Sequence, residues 1–408
     1  MSTTEAPLIT DDWRIAGAVY RDQSLFEAEL RTVFARSWIF VAHESEIANG
    51  GDYKTAYIGR QPVVVSRSAD DGSIHVMFNR CRHRGSAVCQ REYGNANHFR
   101  CAYHGWTYAS SGELVGVPFP DGYDDGFDKG AMGLVHVPRM EIYRGFVFAS
   151  LDHDAPALRE YLGPAHRYLD FIADLPGGIE LSARAQKLTY QGNWKLQVEN
   201  TIDPYHFSFT HKSWLDIIKD RTGVPSSWVK NLTTNPGWRT VDLGNGHSAH
   251  EYGPLEDHIN GPAGGTANFT GGELLPFNFI VFPTLSFVGA HLRLVVPRSA
   301  TETRVFLYPL VPKGLSDDKL ATVLRNHESF YGPSGAGSAD DIEVGFERVM
   351  HGLSATATSE DWVLMSRGIE REVIDEATGI RYGRSSDEVP QRGFYRRWMS
   401  LMNGDANV

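Results

Sequence analysis

Residues 81–108 read CRHRGSAVCQREYGNANHFRCAYHGWTY, so Cys81 and His83 form one pair and, after seventeen intervening residues, Cys101 and His104 form another. Two short pairs on tight turns at hairpin ends can converge on one metal centre, with the chain between them closing the link. Two thiolates and two imidazoles suit either a structural zinc ion or a two-iron, two-sulfur cluster whose cysteines bind one iron and whose histidines bind the other. Zinc modules are usually built from Cys-x2-Cys or His-x3-His pairs, so one Cys and one His in each pair favours the cluster. Neutral imidazoles in place of two thiolates remove negative charge, raise the reduction potential and make the histidine side the edge through which electrons leave. Gly85, Gly105 and Trp106 fit beside these ligands, the glycines allowing tight loops and close backbone approach. Cys89 has no spacing partner and reads as a buried small hydrophobe. His98 reads as structural.

A second constellation lies in residues 193–211, NWKLQVENTIDPYHFSFTH, which gather Asp203, His206 and His211. Histidines five apart do not stack on one face of a straight helix, so the helix must end or bulge between them for both rings to reach one ion. Two imidazoles and a carboxylate on one face of an octahedron leave positions open for dioxygen and substrate, the arrangement of non-haem Fe(II) oxygenases. The chain has sixteen histidines, so two of them alone are weak evidence. Asp203 before Pro204 is also an ordinary helix N-cap and first-turn pair.

Together the two motifs resemble the large (alpha) subunit of Rieske non-haem iron aromatic-ring-hydroxylating oxygenases over nearly the whole chain. The family's Cys-x-His-x17-Cys-x2-His is matched by Cys81, His83, Cys101 and His104, and its Glu-Asn-x-x-Asp-x-Tyr-His-x4-His by Glu199, Asn200, Asp203, Tyr205, His206 and His211. The resemblance implies one Rieske 2Fe-2S cluster and one mononuclear Fe(II), with a third iron ligand about 150 residues beyond the second histidine. SEDWVLMSRGIE puts Asp361 there, with Glu360 as its nearest competitor; Asp340 and Asp341 begin another helix and read as caps. It also implies that Asp203 bridges a cluster histidine of a neighbouring subunit and an iron-binding histidine of its own. Head-to-tail trimers, alpha3 or alpha3beta3 with a small beta subunit, would then carry electrons along His104, Asp203 and His206. No dinucleotide-binding Gly-x-Gly-x-x-Gly after a strand and no plant-type ferredoxin cysteine run is present, so NAD(P)H is expected to serve only through a separate reductase, with or without a ferredoxin.

The elements that must hold these residues read as an α+β chain. A helix over residues 23–36, preceded by Asp22, buries Phe26, Leu30, Val33 and Phe34 on one face. Residues 40–152 are short β-branched or aromatic runs between Gly, Asp, Asn and Ser turns, an all-β module. Helical periodicity returns after Asp152; strands are expected near 184–190, 237–243, 277–288 and 291–310, and the last hundred residues read as mostly helical. The expected division is a helical segment 1–39 packing on the catalytic domain, a Rieske domain 40–155, and a helix-grip catalytic domain 156–408, an antiparallel sheet with helices. Gly-rich residues 253–273 read as a loop of low order or a lid.

A formal charge of −11 without a basic block argues against nucleic acid or an anionic membrane as partner. No apolar run reaches the eighteen-odd residues of a membrane span, and the first residues carry no export or organelle pattern, so a cytoplasmic location is expected. Three cysteines cannot form a disulfide scaffold. Residues 277–298 would wall an apolar pocket, with Phe207, Phe209 and Trp214 beside the iron motif, which fits an aromatic substrate. Asn200 and Phe207 are candidate substrate contacts. In relatives acting on benzoate-type acids, pocket arginines hold the carboxylate, and Arg293 and Arg392 occupy comparable places here. The expected reaction is cis-dihydroxylation of an arene with O2. The alternatives are monohydroxylation of an aromatic acid such as a salicylate, and an electron carrier whose second domain binds no metal.

Overall fold

The computed structural model describes residues 7–404 except 182–184, 226, 261–274, 334 and 358–359. It comprises two compact units, one of Phe34–Leu158 and the other of the chain up to Val33 and from Arg159 onward.

The first unit is built from three antiparallel sheets. Gln61–Arg67 lies between Ile74–Phe78 and Asp52–Ile58 in a four-stranded sheet that Tyr93–Asn95 completes. Val63, Val64 and Val65 are all buried, as expected of a strand covered on both faces. His98–Arg100, Thr107–Ala109 and Leu114–Gly116 form a second sheet, and Arg139–Tyr143, Phe146–Ser150 and Ile39–His43 a third. Val64, Met77, Val88, Phe99, Trp106 and Tyr108 pack into one core together with Cys81 and Cys101. Each large apolar side chain so buried contributes about 1.5–3 kcal/mol, which anchors the loops that carry the Cys/His pairs.

The second unit is organised on a nine-stranded antiparallel sheet. Its order is Gln186–Tyr190, Glu302–Pro309, His291–Ser299, Leu285–Val288, Phe277–Val281, Ser248–Tyr252, Trp238–Asp242, Arg381–Arg384 and Val373–Ile374. The last two strands come from the region expected to be mostly helical. They interrupt the helices Asp317–Tyr331, Arg348–Leu353 and Val389–Asn403 and finish the sheet edge. Of the expected Gly-rich loop, Leu255–Asn260 is helical, and 261–273 lie outside the described residues.

The helix Gln23–Arg36 starts where expected, with Asp22 Oδ1 accepting from the backbone N–H groups of Ser24 and Leu25. Its inward face also carries a charge that periodicity did not reveal. Glu29 is fully buried, pairs with fully buried Lys195, and accepts from the indole nitrogens of Trp194 and Trp398 at 2.8 Å each. Breaking such a hydrogen-bonded buried pair costs about 3–5 kcal/mol. Nearby Glu199 accepts from the hydroxyls of Tyr20 and Tyr395, and burial pushes its carboxyl up to about 7. These two acids tie Gln23–Arg36, Trp194–Thr201 and Val389–Asn403 together, so the glutamate of the Glu-Asn motif acts in the frame beneath the site.

Among the described residues, no helix is long and apolar enough to cross a membrane.

Candidate metal centres

The Cys81 and Cys101 loops have one backbone design. Cys81 N–H donates to Ser86 O and Gly85 N–H to Cys81 O; Cys101 N–H donates to Trp106 O and Gly105 N–H to Cys101 O, all at 2.8–2.9 Å. Each glycine stands four residues after its cysteine, with φ of +74° and +75°, a conformation that costs other residues about 1 kcal/mol or more. Only the second loop closes a tight hairpin, between His98–Arg100 and Thr107–Ala109. The first leaves the strand Ile74–Phe78 and returns through residues 86–92.

Both cysteines are buried, while the His83 and His104 rings meet edge to face at 4.5 Å. His83 stacks on Trp106 at 5.1 Å, and its Nδ1 is buried without a hydrogen-bond partner. No three of the four donors lie within 4.8 Å of one another, wider than a tetrahedral zinc site requires, whereas a two-iron cluster spans a longer frame. Tyr108, which the spacing did not single out, accepts from Arg82 N–H at 3.0 Å, leaving its hydroxyl to donate to Cys81 Sγ at 3.2 Å. Cys89 is buried, and burial pushes its thiol up to about 12; Asn79 Oδ1 accepts from the N–H groups of Val88 and Cys89. That is the inert cysteine expected.

In the second unit, Asn193 caps the helix Trp194–Thr201 by accepting from Lys195 N–H. The chain then breaks before a single helical turn, Phe207–Thr210, with His206 at its start and His211 where it meets Lys212–Thr222. The break expected between the two histidines is thus absent: one helical turn joins them, the interruptions lie before His206 and at His211, and the rings meet at 5.5 Å. Asp203 Oδ1 accepts from the N–H groups of Tyr205 and His206, and its Oδ2 lies 3.5 Å from His206 Nδ1. The aspartate thus caps the turn and faces the imidazole it precedes.

The acid that completes the cluster is Asp341, not Asp361. Asp341 Oδ1 lies 3.6 Å from His206 Nε2 and 3.2 Å from His211 Nε2, and the donors of all three residues fall within 4.8 Å of one another. Asp361 precedes the strand Trp362–Leu364, is engaged by both terminal guanidinium nitrogens of Arg21, and accepts from Gly17 N–H through its backbone carbonyl. The expected cap role of Asp340 and Asp341 fails because the helix runs through them. Ala336–Asp340 passes directly into a π-helical stretch, Asp341–Glu347, whose wider turn re-aims the side chains. Asp340 Oδ2 lies 3.4 Å from His211 Nδ1, so each histidine has a carboxylate behind its outer nitrogen, Asp203 for His206 and Asp340 for His211. An adjacent acidic pair at a helix junction was the only available sequence signal, and it is common at ordinary caps.

Burial opposes charge on His206, but Asp203 and Asp341 outweigh it and raise its pKa. Burial opposes the charge of Asp341, yet His211, His206 and Arg293 hold its pKa below the usual carboxylate value. Asn200 Nδ2 donates to Asp341 Oδ1 and lies 3.1 Å from His206 Nε2. The donor set and its carboxylate-backed rings fit a divalent iron with open positions.

A cavity of about 540 Å³ opens onto these donors, walled by Phe207, Trp214, Val288 and Phe330, with Asn200 and Arg293 contributing polar groups. Phe209 is 70% exposed and does not line it. Arg392 is also outside: its guanidinium is fully buried against Glu372 and the carbonyls of Met365 and Arg367, a structural clamp. Arg293 is 4% exposed and does reach the cavity.

Residues 37–135 match the Rieske [2Fe-2S] domain, and residues 179–404, more than half of the chain, match the ring-hydroxylating alpha subunit catalytic domain. The chain belongs to the ring-hydroxylating oxygenase alpha subunits. This alpha subunit is 32% identical over 405 residues to the large oxygenase component of the naphthalene 1,2-dioxygenase system of Pseudomonas putida, covering 94% of this chain and 90% of that protein. It is 31% identical over 386 residues to the 2-halobenzoate 1,2-dioxygenase large subunit of Burkholderia cepacia, covering 88% and 81%. A naphthalene 1,2-dioxygenase variant bound to phenanthrene shares the fold with a TM-score of 0.86 and 30% identity, covering 100% of this chain and 96% of that one. Membership makes this an oxidoreductase with a Rieske cluster and a mononuclear iron, supplied with electrons by a separate reductase.

Proposed function

We propose that this alpha subunit is the terminal component of a dioxygenase that converts an arene, O2, two electrons and two protons into a cis-dihydrodiol. The observation that carries the reading is the convergence of His206, His211 and Asp341 at the floor of an aromatic-walled cavity, in a chain that also carries the Cys81/His83 and Cys101/His104 loops. In this reading His206, His211 and Asp341 hold the iron, and Cys81, His83, Cys101 and His104 hold the cluster. Iron so held supplies dioxygen activation. Asp203 and Asp340 orient the two rings through their outer nitrogens, Asn200 fixes the Asp341 carboxylate, and Phe207, Trp214 and Phe330 orient a flat ring and exclude water. Product analysis with labelled O2 tests it: two labelled oxygens on one ring are expected, and a single label would assign monohydroxylation instead. Iron quantification at about three per chain is expected, and two would leave only an electron carrier.

The substrate we infer is an aromatic acid. Arg293 Nε donates to His291 Nε2 at 2.8 Å and Nη1 to Asn200 Oδ1 at 3.4 Å, but among the described residues no carboxylate is hydrogen-bonded to it. A buried guanidinium beside an apolar cavity is stabilised by an anionic ligand. The names of relatives that act on 2-halobenzoate, anthranilate and toluate agree with this. Benzoate-type acids are expected to bind more tightly than the corresponding hydrocarbons, and equal affinity would remove Arg293 from the account.

Asp203 supports a head-to-tail assembly, alpha3 or alpha3beta3. Its side chain is 32% exposed while its Oδ2 faces His206, so it can accept from a second imidazole of a neighbouring subunit. Mass measurement of the assembled enzyme tests the stoichiometry.

A further inference from the structure

The helix Asp317–Tyr331 is exposed along most of its length, and of its residues only Val323 and His327 are buried, four apart on the face that lines the cavity. An apolar side chain at such a position packs at no polar cost. At His327 an imidazole stands there instead. It is 5% exposed, its Nε2 is buried, and among the described residues neither ring nitrogen makes a hydrogen bond. Burial, and after it the Arg293 guanidinium, push this imidazole down to about 4. At neutral pH it therefore carries one N–H to donate and one lone pair to accept. Which nitrogen holds the proton is set by the hydrogen bond the other one makes, so an unbonded ring offers either role at Nε2.

His291 brings a second polar group beside it. Burial holds His291 neutral as well, and its Nε2 accepts from Arg293 Nε at 2.8 Å, so its own proton sits on Nδ1. Its ring packs on Tyr331 at 3.9 Å and meets His327 edge to face at 5.4 Å. Arg293 Nη1 reaches Asn200 Oδ1 at 3.4 Å, which leaves Nη2 for a carboxylate. His291 thus touches both Arg293 and His327, and the cavity wall presents a guanidinium and an unbonded imidazole as neighbours. A carboxylate engages the first alone. The second then stays buried without a partner, which disfavours the complex unless the substrate carries another polar group next to its carboxylate.

We propose that His327 is a specificity residue that reads a hydroxyl or amino group on the ring carbon adjoining the carboxylate, so that the substrate is an ortho-hydroxy or ortho-amino aromatic acid. The proposal rests on the reading of the cavity as the site of an aromatic acid held by Arg293. An ortho hydroxyl donates to its own carboxylate and accepts at its oxygen from the His327 N–H. An ortho amine gives one hydrogen to the carboxylate and the other to the His327 lone pair. One neutral imidazole serves both, whereas a methyl group in the same place leaves it unpaired.

The test is binding to the iron-loaded, assembled enzyme without oxygen, measured by calorimetry for toluene, benzoate, 2-methylbenzoate and 2-hydroxybenzoate. 2-Hydroxybenzoate is expected to bind about 10-fold or more tightly than 2-methylbenzoate, which has nearly the same size. His327→Phe should bring that ratio to within about 2-fold of one, and His327→Gln, which keeps a donor and an acceptor, should restore most of it. 2-Aminobenzoate should follow 2-hydroxybenzoate throughout. A native ratio near one overturns the proposal, and so does a ratio that His327→Phe leaves unchanged. His327→Leu takes its place if the phenylalanine variant fails to assemble. 4-Hydroxybenzoate should gain nothing over 4-methylbenzoate, and a gain as large as that of the ortho acid overturns the ortho assignment. Toluene binding as tightly as benzoate overturns the aromatic-acid reading beneath the proposal. Benzoate ahead of toluene with no gain from the ortho hydroxyl sinks only the role of His327.

Discussion

The two metal centres are built on opposite principles. The Cys81 and Cys101 loops repeat one backbone design, carry both Cys/His pairs within a short stretch of chain, and are ringed by exposed arginines. The proposed His206/His211/Asp341 centre draws two residues from beside a short helical turn and the third from a π-helical stretch 130 positions later, lining a cavity. A site that exchanges electrons benefits from exposure and a partner-facing field. A site that activates dioxygen needs enclosure and a precise donor triangle. The contrast predicts that changes at the second centre abolish chemistry, while changes at the first alter potential and rate.

The largest expected effect follows Asp341→Ala. Activity should fall by more than about 100-fold with loss of the mononuclear iron, while the cluster's visible spectrum stays intact. Asp361→Ala, which breaks only the Arg21 pair, should keep both metals; if it lost the iron instead, the assignment of the third ligand would be wrong.

Asp203→Ala should leave both metals bound and lower turnover by about 100-fold, since it removes the carboxylate behind His206. A variant turning over at the native rate sinks the bridging role. Arg293→Gln should weaken an aromatic acid by about 10- to 100-fold and a neutral arene far less, as read by separate KM and kcat values.

At the first centre the effects are gentler. Tyr108→Phe removes the hydroxyl that donates to Cys81 Sγ, and a hydrogen bond worth about 1 kcal/mol corresponds to a potential lowered by about 40 mV. Redox titration of the cluster checks this, and an unchanged midpoint removes Tyr108 from the tuning of the cluster.

The smallest effect concerns the stability of the metal-free chain. Burial lowers His247 to about 4 and His250 to about 3, whereas in the unfolded chain both return to the ordinary histidine value of about 6.5. Below that value the unfolded state binds more protons, so their contribution is full above pH 6.5 and is lost as pH falls through the folded values. Glu199 works in the opposite direction. Its carboxyl is raised to about 7, so its contribution is present at low pH and lost as pH rises through about 7. Thermal unfolding midpoints should drop from pH 6.5 toward 4, and Glu199→Gln should steepen that drop between about 5 and 7.

Much of the frame was legible because it is written in local pattern. The helix Gln23–Arg36 and the strands of residues 39–150 follow from periodicity and turn residues, whereas the break expected between His206 and His211 falls instead on either side of one helical turn, before His206 and at His211. Glu29 and Lys195 were not legible, because each is an ordinary charged residue until the other is brought against it. The strands Val373–Ile374 and Arg381–Arg384 were missed for a related reason: short edge strands carry little periodicity of their own.

The sequence by itself determined the residues that are near each other in the chain: both Cys/His pairs, the histidine pair with Asp203, and hence the family. Only the tertiary structure decided between acids and between arginines of equal chemical type. Asp341 and Asp361 offer the same carboxylate, and Arg293 and Arg392 the same guanidinium, but one of each pair faces the cavity and the other is already bound, to Arg21 and to Glu372. Local spacing constrains which atoms can meet within a turn. Across more than a hundred residues, only packing does.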